Sequence, residues 1–351
     1  MRPLLLSSVL LLLSFVFGAA AGSQPAPPTC LDEVATLEPA SASLDEYTFT
    51  SPGHAVDATG VVWTGLFGNG LHLLGGEDAC LAGGHVVGPY PEHAVYECEA
   101  RHCQDHACPV PCLAYHTTAA IAPAVDAPLT VIDDFHGSGY GDGISLERES
   151  GDLLIRRAYL HDLHDDAVEG DWGRHSVTIL DSLFERVTMG LATRQRKKGG
   201  ARATDEVWEL HDSLLRLHAW PNTYKMEPGH GGFFKVDRKK SRQVRYRITG
   251  NIFFAGPLAG KGAVLLPIVT QTEECAGNQL FWSGSLAAFE DVLDDGDGYP
   301  DQLTNRERLE ALSDCYSVTV KPASESEADF VAEHWTPLAE AWRASHQAGG
   351  L

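Results

Sequence analysis

The stretches LTVIDDFHGSGYGDGISLE (129–147), LLIRRAYLHDLHDDAVEGD (153–171) and SVTILDSLFERVTMGLATR (176–194) align without a gap. Each carries a small residue followed by an aliphatic one. These are Gly143-Ile144, Ala167-Val168 and Gly190-Leu191, recurring after 24 and then 23 residues. A period in the low twenties with short β-type segments marks the stacked turns of a solenoid, since one such unit cannot bury its apolar face alone. Stacking predicts an interior column of Ile144, Val168 and Leu191. At the bend before it, Asp142 falls over Asp166, with Met189 next. Two outward columns follow on the strand: Ser145, Glu169, Ala192, and Glu147, Asp171, Arg194.

Further turns show in a second recurrence, a polar residue before an aliphatic–aromatic pair. It starts at Asp181, Asp212, Asn251 and Asn278, with separations of 31, 39 and 27 residues that imply interrupting loops. Alternating apolar residues between Gly-rich bends read as strands, and LHLLGGEDACLAGGHVVG (71–88) fits an earlier turn. Residues 31–60 look irregular and are predicted to cover the open N-terminal end, where unpaired strand edges need a cap. RERLEALSD after Asn305 reads as a short helix. Residues 330–346 read as another, with Phe330, Trp335, Leu338 and Trp342 on one apolar face covering the solenoid side or its C-terminal end. The division is then 1–22 signal peptide, 23–60 leader and N-terminal cap, 61–284 solenoid with a loop insertion at about 92–120, and 285–351 C-terminal insertion, cap and helix.

Arg2, the apolar run Leu4–Phe17 and the small residues before a cleavage point near Ala21 have the form of a secretory signal peptide. No later stretch is apolar and long enough to span a bilayer, so the mature chain is expected to be secreted or periplasmic. All eight cysteines follow the cleavage point, and an oxidising compartment makes disulfides their default. Cys98, Cys103, Cys108 and Cys112 crowd one insertion with His102, His106 and His116 among them, so disulfides and zinc are both open there. Cys275 and Cys315 flank a long insertion that a disulfide would close. Net charge is −22, yet residues 194–247 hold 14 of the 26 Lys and Arg against six acids. That asymmetry means either a localised positive field or a solvated basic loop, and a globally acidic exported chain argues against nucleic acid as partner.

The turns resemble those of a right-handed parallel β-helix of the pectate-lyase-like superfamily, over roughly residues 60–346. The segments PGHGGFFK (228–235), HDDAVEGD (164–171) and CAGNQLFW (275–282), with a terminal W…W…H, resemble a group of exported bacterial β-helix proteins. The resemblance implies an all-β solenoid with disulfide-bearing loop insertions and a short C-terminal helix, and carbohydrate-active enzymes as relatives. YGDGI followed by HDDAV is also similar to the polygalacturonase family's Asn-Thr-Asp-Gly and Asp-Asp motifs. Asp142 would match the first aspartate, and Asp165-Asp166 the pair. The chain departs in having Tyr140-Gly141 for Asn-Thr and Met189-Gly190 for Gly-His-Gly. Gly229-His230-Gly231 lies well downstream, and there is no Arg-Ile-Lys.

One face therefore collects Asp142, Asp165, Asp166, Glu147, Glu169 and Asp171, bordered by Arg194. Carboxylates this close cannot all ionise cheaply, so one is expected to hold its proton unless a cation intervenes. An acid beside an ionised base is what glycosidic bond hydrolysis uses. Asp165, Asp166 and Glu169 equally suit Ca²⁺, as in polysaccharide lyases of this fold class. Elimination would then draw its base from His230 or Lys235, while Lys225 and Arg194 orient an anionic substrate. The plain alternative is turn chemistry, since Asp side chains satisfy bend amides. In DDGDGYPDQLT (294–304), Asp295, Asp297 and Asp301 sit at calcium-loop offsets, but Leu293 and Thr304 occupy the end ligand positions, as in an ordinary acidic turn. No phosphate-binding glycine loop, dinucleotide fingerprint or Ser-His-Asp motif appears. The expected function is action on an acidic polysaccharide by hydrolysis or β-elimination, the alternative being a non-catalytic glycan-binding or surface solenoid.

Overall fold

The structure, a computed structural model, describes residues 30–32, 34–66, 68–89, 118–125, 129–146, 151–170, 176–193, 206–220, 231–236, 244–257, 266–268, 272–294 and 303–346. The stretch expected to be a signal peptide, Cys98, Cys103, Cys108, Cys112 and the calcium-loop candidates Asp295, Asp297 and Asp301 lie outside them. Among the described residues every strand pairing is parallel, and the strands form three ladders that make the chain a parallel β-helix.

The first face stacks Val56, Leu81, Ile132, Ile155, Ile179, Leu210 and Ile248 in one interior column. The second stacks Val86, Gly137, Leu160, Phe184, Leu215, Phe253 and Leu280. On the third, Leu71, Ile121, Ile144, Val168, Leu191 and Phe234 form the column. Ile144, Val168 and Leu191 are stacked as expected and at most 1% exposed. Burying an aliphatic side chain of this size stabilises by about 1.5–3 kcal/mol, and the columns repeat that gain at every turn. The small residues before them have a steric cause. A Cβ on Gly143 would lie 2.6 Å from the Ala167 carbonyl oxygen, and one on Gly190 2.7 Å from that of Phe233.

The bend from first to second face is built the same way in seven of the described turns. Gly83, Asp134, Arg157, Asp181, Asp212, Gly250 and Gly277 all have positive φ there. The next position carries a buried polar ladder. Ser182 Oγ accepts from the Ala158 N–H, Ser213 Oγ from Ser182, Asn251 Oδ1 from Ser213 and Asn278 Oδ1 from Asn251, at 3.0–3.1 Å. This corrects the register read from the second recurrence. Asn251 and Asn278 stand over Ser182 and Ser213, and Asp181 and Asp212 stand over Gly250 and Gly277, since Asp is among the few residues besides Gly that occupy αL.

Two further expectations change. The parallel ladders begin at Thr36–Pro39, not near residue 61, since strands at 36–39, 46–49 and 54–64 pair onto later turns. They continue to Tyr316–Val320, which pairs onto Asn278–Trp282. Ala119 and Ala120, placed in the loop insertion, belong to the strand Ala119–Val125. Cys275 bonds Cys315 as expected, and Cys30 bonds Cys80.

The helix Leu286–Asp294, which the sequence pattern did not announce, buries Phe289 and Leu293 in the main core, Phe289 against Trp282. Asn305–Ala311 is helical as expected and opens on a Thr304/Glu307 capping box. The terminal helix is two, Glu327–His334 and Thr336–His346, because Pro337 lacks an N–H and disfavours helical geometry before it. They lie on the outside of the second face, where Phe330, Trp335, Ala339 and Trp342 pack on Leu183, Leu214, Phe254 and Phe281. Trp335 and Arg343 both bond Glu185, and Trp342 and His346 both bond Asp181. No helix among the described residues is long and apolar enough to cross a membrane.

Candidate functional site

The bend from second to third face is where the acids meet. Gly139, Asp162 and Arg186 take positive φ there, at 71°, 53° and 57°. The bend holds two αL residues other than glycine in succession, each costing on the order of 1 kcal/mol. They are joined along the stack, Arg186 Nε lying 2.5 Å from Asp162 Oδ1. His161 Nδ1 donates at 2.8 Å to the other Asp162 oxygen. Burial pushes the Asp162 carboxyl up, but His161 and Arg186 outweigh it and hold it below its ordinary value.

Immediately beyond the bend, Asp142 opens the strand Asp142–Ser145, and Asp165-Asp166 occupy the same level of the strand Tyr159–Glu169. Asp142 Oδ1 accepts the Asp166 N–H at 3.0 Å. One oxygen from each of Asp142, Asp165 and Asp166 lies within 4.8 Å of the others, the geometry of a group able to hold a cation. Asp166 pairs in register with Met189, and Glu169 with Ser145 and Ala192, as the alignment of the three stretches requires. Ser145 Oγ donates to Glu169 Oε2 at 2.9 Å.

Lys235 completes the group. It ends the strand Gly232–Lys235, pairs with Ala192, and brings Nζ to 2.8 Å from Asp166 Oδ2. Burial, then the charges of Glu169, Asp165 and Asp166, push the Asp142 carboxyl well above the usual carboxylate range. Burial and Asp166 also raise Glu169, against the pull of Lys235 and of hydrogen bonds from Ser145 and Asp142. Two carboxyls of the group, Asp142 and Glu169, are thus both pushed above their ordinary range, by burial first and by acidic neighbours second.

One expectation fails here. The four acids were to lie together on an accessible surface, but Asp142 is 2% exposed and Asp166 is fully buried. Asp165 and Glu169 are half-buried and form the outer side of the group. Lys235, the candidate base for elimination, reaches the acids through its ion pair with Asp166. Glu147, Asp171, Arg194, Lys225 and His230 lie outside the described residues.

Other residues around the bend were not singled out from sequence. His164 stacks on Trp220 with centroids 4.4 Å apart, and the Arg186 guanidinium lies 5.0 Å from the same ring. Burial leads the causes that carry His164 down to about 4. On the second face His85, His136 and Tyr159 stack outward, with centroid spacings of 5.6 and 5.5 Å. Burial, then His85 and His161, carry His136 down to about 4 as well. The only signal for His164 was the His-rich string HDLHDD, which alone says nothing of a partner two turns away.

Fold and site together define a parallel β-helix with a carboxyl cluster and one lysine at a strained bend. No known protein family, curated protein or solved structure matches the chain. The similarity to pectate-lyase-like proteins and polygalacturonases thus rests on the motifs quoted above.

Proposed function

We propose that this protein is an exported carbohydrate-active β-helix that cleaves glycosidic bonds of an acidic polysaccharide at the Asp142–Asp165–Asp166–Glu169 cluster. One observation carries the reading: a buried carboxyl that burial and acidic neighbours push well above the usual range, Asp142, stands beside a carboxylate paired to an ammonium, Asp166. Neighbouring acids whose environments push them into opposite protonation states are the recurrent source of acid–base pairs. Such a pair protonates a leaving glycosidic oxygen and directs water or a carboxylate at the anomeric carbon. Asp165 and Glu169, on the outer side, are the groups a sugar would meet first. Export to an oxidising compartment fits the two disulfides, Cys30–Cys80 and Cys275–Cys315.

A second reading has its own observation. Asp142 Oδ1 serves the Asp166 backbone N–H, which is the work of a turn residue in a non-catalytic glycan-binding solenoid. Asp166→Asn and Asp142→Asn separate the two. Incubation with a panel of acidic polysaccharides is expected to release reducing ends. Either variant should lower the rate at least 10²-fold while still melting cooperatively. Hydrolysis leaves products without ultraviolet absorbance, whereas elimination leaves a conjugated double bond that absorbs. Binding without product from any polymer, by wild type and variants alike, would establish the solenoid as a binder.

A further inference from the structure

Lys235 and Asp166 belong to turns two steps apart in the stack. Lys235 pairs with Ala192 and Ala192 with Glu169, while Asp166 pairs with Met189 on the intervening strand. Adjacent strands are about 4.8 Å apart, so the lysine must run nearly extended across a whole turn to bring its ammonium to 2.8 Å from Asp166. Ala192 is the residue it passes, and its methyl group offers no obstruction. The side chain keeps only 23% of its surface exposed, whereas lysines on solenoid faces commonly extend into water. Its terminus lies at the carboxylate set of Asp142, Asp165 and Asp166, whose oxygens approach within 4.8 Å. A hard divalent ion would seek the same oxygens.

We propose that Lys235 is the resident cation of this carboxyl cluster, set where a divalent ion would otherwise bind, so that the site works without a metal. An ammonium brings one charge and three donors on a tether that cannot dissociate. It neutralises Asp166 permanently and repels a second cation from the same oxygens. The cluster is the one named in the proposed function, but the inference is read out by metal binding and needs no polysaccharide, so either can fail alone.

The test is calorimetric titration with Ca²⁺ of chelator-treated wild type, Lys235→Met, Asp166→Asn and the double variant. Lys235→Met is expected to bind one equivalent that wild type does not, and the double variant to lose it. Calcium taken up by the acidic string DDGDGYPDQLT would appear equally in all four and cancels. Lys235→Arg keeps the charge and should behave as wild type. Lys235→Gln replaces Lys235→Met if the latter does not melt cooperatively. The inference is overturned by wild-type Ca²⁺ binding that Asp166→Asn removes. A folded neutral variant that binds no better than wild type, or a Lys235→Arg protein that gains the site, overturns it equally.

Discussion

Asp142 combines two features in one carboxyl: one oxygen accepts the Asp166 N–H, and burial among other acids pushes the group well above the usual carboxylate range. The raised carboxyl has a thermodynamic consequence with a definite sign. Its folded value lies above the ordinary 3.8, so its contribution to stability is fully present below about pH 3.8 and is lost as pH rises through the folded value. Asn keeps an acceptor oxygen for the Asp166 N–H and an N–H for Glu169 but does not titrate. Asp142→Asn is therefore expected to match wild type near pH 3 and to melt progressively higher than wild type as pH rises, measured as paired thermal melts. A constant difference at all pH values would show that Asp142 does not hold its proton in the native state. At this scale the sequence was a good guide to which acids meet, because Asp142, Asp166 and Glu169 share fixed offsets from Ile144 and Val168. It was a poor guide to their burial, and the Lys235 contact crosses two turns, beyond any spacing rule.

The bend ladder is the element that most rewards disruption. Asn278 accepts from the Asn251 backbone and side chain at 3.0 Å and donates to the Ile248 carbonyl at 2.9 Å, all among buried groups. Asn278→Ala leaves at least two of them unserved, and each buried orphan costs about 1–3 kcal/mol. A loss of roughly 2–4 kcal/mol in equilibrium denaturation is expected, against less than about 0.5 kcal/mol for a typical exposed control substitution. A cost near the control value would mean that water replaces the amide. The Asx residues were visible in sequence and the turn they mark was found. Their register was misread by one because Asp181 and Asp212 mimic Asn251 in type while occupying the αL position that Gly250 and Gly277 hold. The earliest strands escaped for a different reason. Tyr47, Phe49, Val56 and Trp63 are core residues, but irregular connections separate them and no constant period links them to the later turns.

At the scale of the whole molecule, stability is set by stacking, and its acid limit by imidazoles kept neutral inside the stack. His136 is brought down to about 4 from an ordinary 6.5. Its contribution is complete above about pH 6.5 and is lost as pH falls toward 4, because the unfolded chain takes up the proton first. The shift is worth about 3 kcal/mol across that window. His136→Gln should therefore flatten the fall in unfolding free energy between pH 7 and 4 by an amount of that order, measured by denaturant titration at each pH. An unchanged slope would place the acid sensitivity elsewhere. The bend ladder also has a direction along the chain. Ala158 is served by Ser182, Ser182 by Ser213, Ser213 by Asn251 and Asn251 by Asn278, so each of these four bend amides waits for a side chain made later. During synthesis the newest turn is always the one with an unmet donor, and the next turn supplies the acceptor. A chain cut after any of these turns ends on an open bond, so this molecule can be shortened or lengthened cleanly only by removing or adding a turn from within.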